Sequence, residues 1–221
     1  MTTTTPISTA PHVAHHFDDA EQQFEAARLG MWLFLATEVL FFGGMFTGYA
    51  MYRAAYPEAF HEGSGRLDLV WGTINTAVLL VSSLTMALAV HSAQSDDRKG
   101  TARFIAATML LGAAFLGVKA YEYAHKFHEH LVPGAEFAPA ELASGVQPGH
   151  VELFFSFYFA MTGMHALHMV IGLGLMAWLW ALARRGRFFP AYYTPVEITG
   201  LYWHFVDIVW VFLFPLLYLI G

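Results

Sequence analysis

The chain lacks cysteine altogether. That rules out thiolate-ligated copper, iron–sulfur clusters, zinc ribbons and covalent c-type haem on this chain. It says nothing about redox compartment. Charge is scarce: 13% of the residues are charged, and the formal net charge is −6. Without a basic stripe, that balance argues against nucleic-acid binding. No internal repeat is visible, whereas proton-coupled transporters usually show inverted repeats and broken helices. The opening stretch, MTTTTPISTAPHVAHH, has neither a basic n-region nor a short apolar core. It reads as a mobile tail rather than a secretory signal. His12, His15 and His16 within it read as solvated rather than as a metal site.

What the chain does have is apolar length. It is 57% hydrophobic with a mean hydropathy of +0.47, the composition of a polytopic membrane protein. Five spans emerge, at 29–52, 69–91, 102–124, 151–183 and 197–219, each near or above the ~20 residues a bilayer crossing needs. The predicted fold is all-α, a bundle of five transmembrane helices over 29–221. Residues 1–28 are read as the tail plus a short amphipathic lead-in helix from Phe17 to Arg28. Asp18 and Asp19 stand at the start of that helix and Arg28 at its end, as the helix dipole prefers. The linkers 53–68 and 125–150 read as extramembrane loops, with Pro57, Gly63, Gly65, Pro133, Pro139 and Pro148 as breakers.

Lys and Arg set the orientation. Arg28, Arg98, Lys99, Arg103, Arg184, Arg185 and Arg187 fall on one side. The other side has Arg53, Arg66 and Lys126, with Lys119 near a helix end. The N-terminus is therefore expected in the cytoplasm and the C-terminus on the outer side. Arg28, Arg184, Arg185 and Arg187 are candidates for contact with anionic lipid headgroups. Trp32, Trp71, Trp178, Trp180, Tyr49, Tyr52, Tyr192 and Tyr218 read as interfacial belts.

Glu38 lies near the middle of the first span, about 14 Å deep. A carboxylate there costs about 2.5–3.5 kcal/mol on insertion scales, so it should face protein, water or a partner. His165 and His168, an i,i+3 pair in span four, share a face, and His204 and Asp207 are i,i+3 in span five. If spans one, four and five pack together, Glu38, His165, His168, His204 and Asp207 form one hydrogen-bonded cluster. A static network that fixes helix packing is the leading reading, ahead of a proton relay. A di-metal carboxylate site is the sharper alternative, but the usual Glu-x-x-His spacing is missing. Neither a catalytic residue nor a metal site is assigned. Ser82 and Ser83 lie at depth, but no base can be assigned to them for a hydrolase. Thr73, Asn75, Thr76, Ser82, Ser83 and Thr85 are expected to bond carbonyls or a neighbouring helix. Gly44 and Gly48 form a GxxxG, and Gly172 and Gly174 suit close approach. Lys119 should pair with Glu122, and Glu122 with Lys126.

Several stretches in order resemble subunit III of the haem–copper oxidases, specifically the cytochrome c oxidase subunit III family. They are MWLFLATEVLFFGG (31–44), NTAVLLVSSLTMALA (75–89), GVKAYEYAHKF (117–127), FFSFYFAMTGMHALHMVIGLGL (154–175) and EITGLYWHFVDIVWVFLFPLLYL (197–219). The resemblance covers nearly everything from Arg28 to Gly221. That family typically has seven spans; five match a shorter bacterial form without the first two helices. The missing pair forms one wall of a phospholipid-holding cleft in the longer form.

The resemblance implies an accessory, non-redox subunit in the bacterial inner membrane. Such a subunit packs on subunit I, beside subunit II, and supports proton uptake and the working life of a proton-translocating oxidase. Haem and copper then belong to the partner subunits; bound phospholipid, not a redox group, is the companion expected on this chain. Glu38 matches the family's membrane-embedded, carbodiimide-reactive carboxylate, and His165, His168, His204 and Asp207 match family motif positions. The alternatives are a quinol oxidase subunit III or a nitric oxide reductase-associated subunit, and more distantly a proton-coupled transporter. The Glu of ATEVLFF leans to the cytochrome c type, since quinol-oxidase relatives often carry Asp there.

Overall fold

The computed structural model describes residues 17–190 and 192–219; the tail histidines His12, His15 and His16 lie outside them. The described residues form six helices in the order α1 (Ala20–Ala55), α2 (Pro57–Gly65), α3 (Leu69–Gln94), α4 (Arg98–His128), α5 (Pro148–Arg184) and α6 (Thr194–Phe214). Five are long and apolar enough to cross a membrane, and α6 reaches that length with a π-helical turn over Pro215–Leu219.

Side-chain caps open three of the helices. Asp19 accepts from Gln22 N, Asp68 from Val70 N and Trp71 N, and Asp97 from Gly100 N. Each satisfies amides that the first turn leaves without a partner. Proline opens three more: Pro57 and Pro148 are first residues of α2 and α5, and Pro195 stands near the start of α6. A missing N–H costs nothing there.

Two boundaries differ from the sequence expectation. The lead-in helix is not separate, because nothing between Arg28 and the first span interrupts α1. The 53–68 linker is largely helical, so Gly63 and Gly65 end up inside α2 rather than breaking it. Gly63 is there for closeness: a Cβ on it would clash with the Phe154 ring.

The spans differ in how enclosed they are. The apolar window of α6 is 56% buried and that of α1 only 11%. α6 packs on α1, α3 and α5, and is the axis of the bundle. Trp203 on α6 is wedged between α4 and α5, where Gly112 and Gly172 leave room for its indole. A Cβ at either glycine would approach the ring to under 3.0 Å. The indole N–H donates to Ser82 Oγ on α3 at 2.9 Å. By contrast, Gly44 and Gly174 face nothing within 4 Å, so the GxxxG makes no close helix contact through Gly44.

Two expected belt residues are core. Tyr49 is fully buried and Tyr218 is 7% exposed. The last carbonyls of a helix have no intrahelical donor. Here Tyr49 donates to the Leu216 carbonyl at 2.9 Å and Ser64 to the Leu217 carbonyl at 2.8 Å. These bonds tie α1 and α2 to the end of the fifth span. Trp32, Trp71 and Trp178 remain exposed on the outside of the bundle.

The 125–150 linker is pinned across that same end. Arg66 pairs with Glu62 at 2.8 Å and also donates to the carbonyls of Ala140 and Glu141. The amide of Gly134 donates to Glu152 at 2.9 Å.

Candidate functional site

The five intramembrane groups expected to cluster do not meet as one. α1, α5 and α6 do pack together. Their ionisable side chains nevertheless separate into a pair, a second small group and an isolated ring.

The pair is Glu38 on α1 with His168 on α5. His168 Nε2 lies 3.1 Å from Glu38 Oε2, and Nδ1 lies 2.8 Å from the Met164 carbonyl. A carbonyl only accepts, so Nδ1 carries a proton and donates it. One further proton then lies between Nε2 and Oε2. Either the carboxyl group donates to a neutral ring, or an imidazolium donates to a carboxylate. The pair is net neutral in both forms, which removes most of the cost of placing an acid at this depth. Phe42 and Tyr202 flank the ring, and the Tyr202 hydroxyl donates to the His168 carbonyl at 3.0 Å. The side chains of His168 and Glu38 are 11% and 18% exposed, so the pair opens towards the outside of the bundle.

The second group joins α6 to α3. His204 Nδ1 is 2.7 Å from Ser83 Oγ. His204 also lines a groove of about 260 Å³ with Gln94 and Glu197. Asp207, one turn further along α6, is 3% exposed. It lies on the Ser83 side, yet neither of its oxygens has a hydrogen-bond partner among the described residues.

His165 stands apart. It is 1% exposed, with Phe115 at 5.4 Å and Trp210 at 5.2 Å between ring centroids, and both ring nitrogens lack partners among the described residues. An i,i+3 step turns about 60° around a helix. That is enough for His168 to meet α1 while His165 meets α4 and α6. Among the described residues, no three His, Asp or Glu side chains converge at metal-ligand spacing.

Sequence reasoning undervalued a further cluster. Lys119 and Glu122 pair as expected, at 2.9 Å, but the two are only 4% and 5% exposed. Lys119 Nζ also donates to the hydroxyls of Tyr158 and Tyr218, at 3.1 and 3.0 Å, and Tyr218 donates on to Glu122 at 3.0 Å. The ammonium stands 5.3 Å from the Trp210 ring. Lys126 does not pair with Glu122; it bonds the Arg66 carbonyl at 2.8 Å and the Glu129 carboxylate. The 119/122/126 spacing on one helix face was a signal for this cluster. The tyrosines that enclose it, from α5 and the end of α6, gave none.

Of the headgroup candidates, Arg28 pairs with Glu25 at 3.4 Å and lies over Phe24. Arg184 lies over the Trp180 ring at 4.8 Å. Arg185 and Arg187 are exposed at the α5 end. Trp180 is thus a platform for Arg184.

Residues 14–221 match the family described as cytochrome c oxidase subunit III. A "Cytochrome c oxidase subunit 3" of Thermostichus vulcanus is 32% identical over 204 residues, covering 92% of each chain. A "Cytochrome bo(3) ubiquinol oxidase subunit 3" of Pseudomonas aeruginosa is 32% identical over 97% of this chain and 95% of its own. A "Quinol oxidase subunit 3" of Bacillus subtilis is 30% identical over 95% of this chain and 97% of its own.

Proposed function

The chain belongs to the cytochrome c oxidase subunit III family, and from that membership we propose that it is the accessory, non-redox subunit of a terminal haem–copper oxidase. It packs on subunit I, supports proton uptake and prolongs the working life of the enzyme. The carrying observation is the match over residues 14–221, which takes in all five spans.

The polar geometry supports this reading. An axial haem ligand needs a free ring nitrogen facing open space. Both nitrogens of His168 are engaged, His165 is walled in by aromatic rings, and His204 Nδ1 is held by Ser83. On this reading haem and copper sit on the partner subunits. The half-open Glu38–His168 pair carries one movable proton on the least enclosed helix, where a partner subunit can reach it.

The N-terminus lies in the cytoplasm and the C-terminus outside, because the cations gather at the α3–α4 and α5–α6 turns. Arg28, Arg184, Arg185 and Arg187 meet lipid headgroups on that face.

Cytochrome c is the leading electron donor, on the strength of Glu38 itself. A quinol is the second reading, because the named quinol oxidase subunit matches at the same 32% identity. One experiment tests all of this: extraction in gentle detergent, capture through this chain, an optical spectrum and oxygen uptake. A haem–copper spectrum with uptake driven by reduced cytochrome c is expected. Uptake driven by quinol alone moves the chain to the quinol branch, and a preparation without haem overturns the reading.

A further inference from the structure

Asp207 is a carboxyl group that the bundle encloses and leaves unused. It is 3% exposed, and neither oxygen has a hydrogen-bond partner among the described residues. Buried polar groups are normally satisfied, so such a group calls for a physical reason. The reason lies in its neighbours. His204 comes three residues before Asp207 on α6, on the same side of the helix. Ser83 on α3 is 2.7 Å from His204 Nδ1 and lies on the Asp207 side.

A groove of about 260 Å³ runs between α3 and α6 to His204. At about 30 Å³ per molecule of bulk water, it has room for several waters. Gln94, the last residue of α3, and Glu197, in the first turn of α6, stand at its mouth. His204 stands at its deep end, about 10.5 Å from Glu197 along the helix. Gly200 lets the two helices approach: a Cβ there would lie 3.1 Å from Val90. That approach carries His204 to Ser83.

No other charge competes for the site. Glu197, His204 and Asp207 make no ion pair among the described residues. Glu38 of α1 and His168 of α5 hold each other, and Lys119 and Glu122 of α4 are paired. His165 of α5 is ringed by aromatic groups, and His91 of α3 is exposed.

We propose that the α3–α6 groove is a proton inlet, in which His204 takes up a proton and Ser83 relays one to Asp207. A serine hydroxyl donates one hydrogen bond and accepts two, so it can serve both neighbours at once. A proton arriving at Nε2 makes His204 an imidazolium. Its Nδ1 proton passes to Ser83 Oγ as the Ser83 hydroxyl proton passes to an Asp207 carboxylate oxygen. His204 is left neutral with its proton on Nε2, Ser83 is again a hydroxyl, and Asp207 is a neutral carboxyl group. Rotation of the carboxyl group about its last bond, a soft torsion, makes the final contact. Release runs the same steps backwards. The assignment deepens the support of proton uptake proposed above and rests on that reading. The inlet opens to one end of the bundle, whereas the Glu38–His168 pair opens to its side.

The test uses the full chain in its extracted complex. The carboxyl infrared band that is lost in Asp207→Asn is followed after transfer into heavy water. In the parent that band should shift as the proton exchanges. The exchange should slow on the order of 100-fold in Ser83→Ala and in His204→Phe, the effect of removing a positioned proton-transfer group. Ser83→Thr keeps the hydroxyl and should exchange as the parent does. Glu197→Gln, at the mouth, should slow exchange less than either. Should His204→Phe not assemble, Ser83→Ala against Ser83→Thr decides alone.

No band lost in Asp207→Asn, unchanged exchange in Ser83→Ala, or equal slowing in Ser83→Thr overturns the proposal. The haem spectrum of the same preparations reports separately on the oxidase reading. Haem with unchanged exchange overturns the inlet alone, and a preparation without haem overturns the oxidase reading whatever the exchange.

Discussion

Two acid–base pairs lie within the spans, and they are built differently. Lys119 and Glu122 sit on one helix, and tyrosines from α5 and the end of α6 close around them. Glu38 and His168 sit on two helices, share one hydrogen bond and remain partly exposed. The first is saturated in contacts: the ammonium donates to two tyrosine hydroxyls and lies 2.9 Å from Glu122 Oε2 as an ion pair, while Glu122 Oε1 accepts from Tyr218. The second engages only one oxygen of Glu38 and opens outward. A saturated pair resists change and fixes the packing of α4, α5 and α6. An open pair can shift its single proton without disturbing the bundle. The scaffold of this molecule is therefore the cluster around Lys119, and its adaptable site is the α1–α5 seam.

The largest effect should come from breaking the saturated pair on one side. Lys119→Met leaves Glu122 buried without its cation, a change that costs about 3–5 kcal/mol. The expected result is a strong fall in recovered folded chain and in its thermal midpoint in detergent. Lys119→Met combined with Glu122→Leu should recover most of that loss, since apolar replacement of both partners is often close to neutral. If the single variant is as stable as the parent, the pair is not scaffold and the comparison fails. Tyr218→Phe is a gentler cut. It removes both the acceptor for Lys119 and the donor to Glu122, and should cost about 1–3 kcal/mol. Denaturant titration of the two variants side by side should place Tyr218→Phe between Lys119→Met and the parent.

How much of this was legible differs between the two pairs. The five spans were readable because apolar length is a local property, and the Lys119–Glu122 pairing was readable because i,i+3 neighbours lie on one helix. The enclosure by Tyr158 and Tyr218 was not, since it depends on how three helices are rotated about their axes. The same limit explains the expected cluster of Glu38, His165, His168, His204 and Asp207. Depth along a helix follows from counting residues. Direction around the axis does not, and the step between His165 and His168 points them at different neighbours. The role expected of Gly44 failed for the same reason. Gly63 reads as a breaker in the sequence because its partner, Phe154, lies far along the chain.

On the open side, Glu38→Ala should cost only about 0.6–2 kcal/mol, the range for one interhelical hydrogen bond in a membrane. Glu38→Gln should cost less, because the amide N–H can donate to the bare Nε2 of a neutral His168. The thermal midpoints should thus follow the order parent, Gln, Ala. The same three proteins can be compared by the infrared carbonyl band of a protonated carboxyl group. Loss of one such band in Glu38→Gln fixes the shared proton on the acid; no change places it on the imidazole.

Asp207 offers the smallest effect and the sharpest contrast. Its oxygens have no hydrogen-bond partner among the described residues, so the native side chain gains little from its surroundings. Removing a buried acid that is already unsatisfied should not cost what removing Lys119 costs, although both lie deep in the bundle. Asp207→Asn should leave the midpoint within about 0.5 kcal/mol of the parent, the size of a change that breaks no named interaction. It should also leave His204 bonded to Ser83, since that bond does not involve Asp207. A large loss in Asp207→Asn would mean that the carboxyl group is bound from outside the bundle in the assembled complex. The two-region picture would then need a third region, one completed only by a partner subunit.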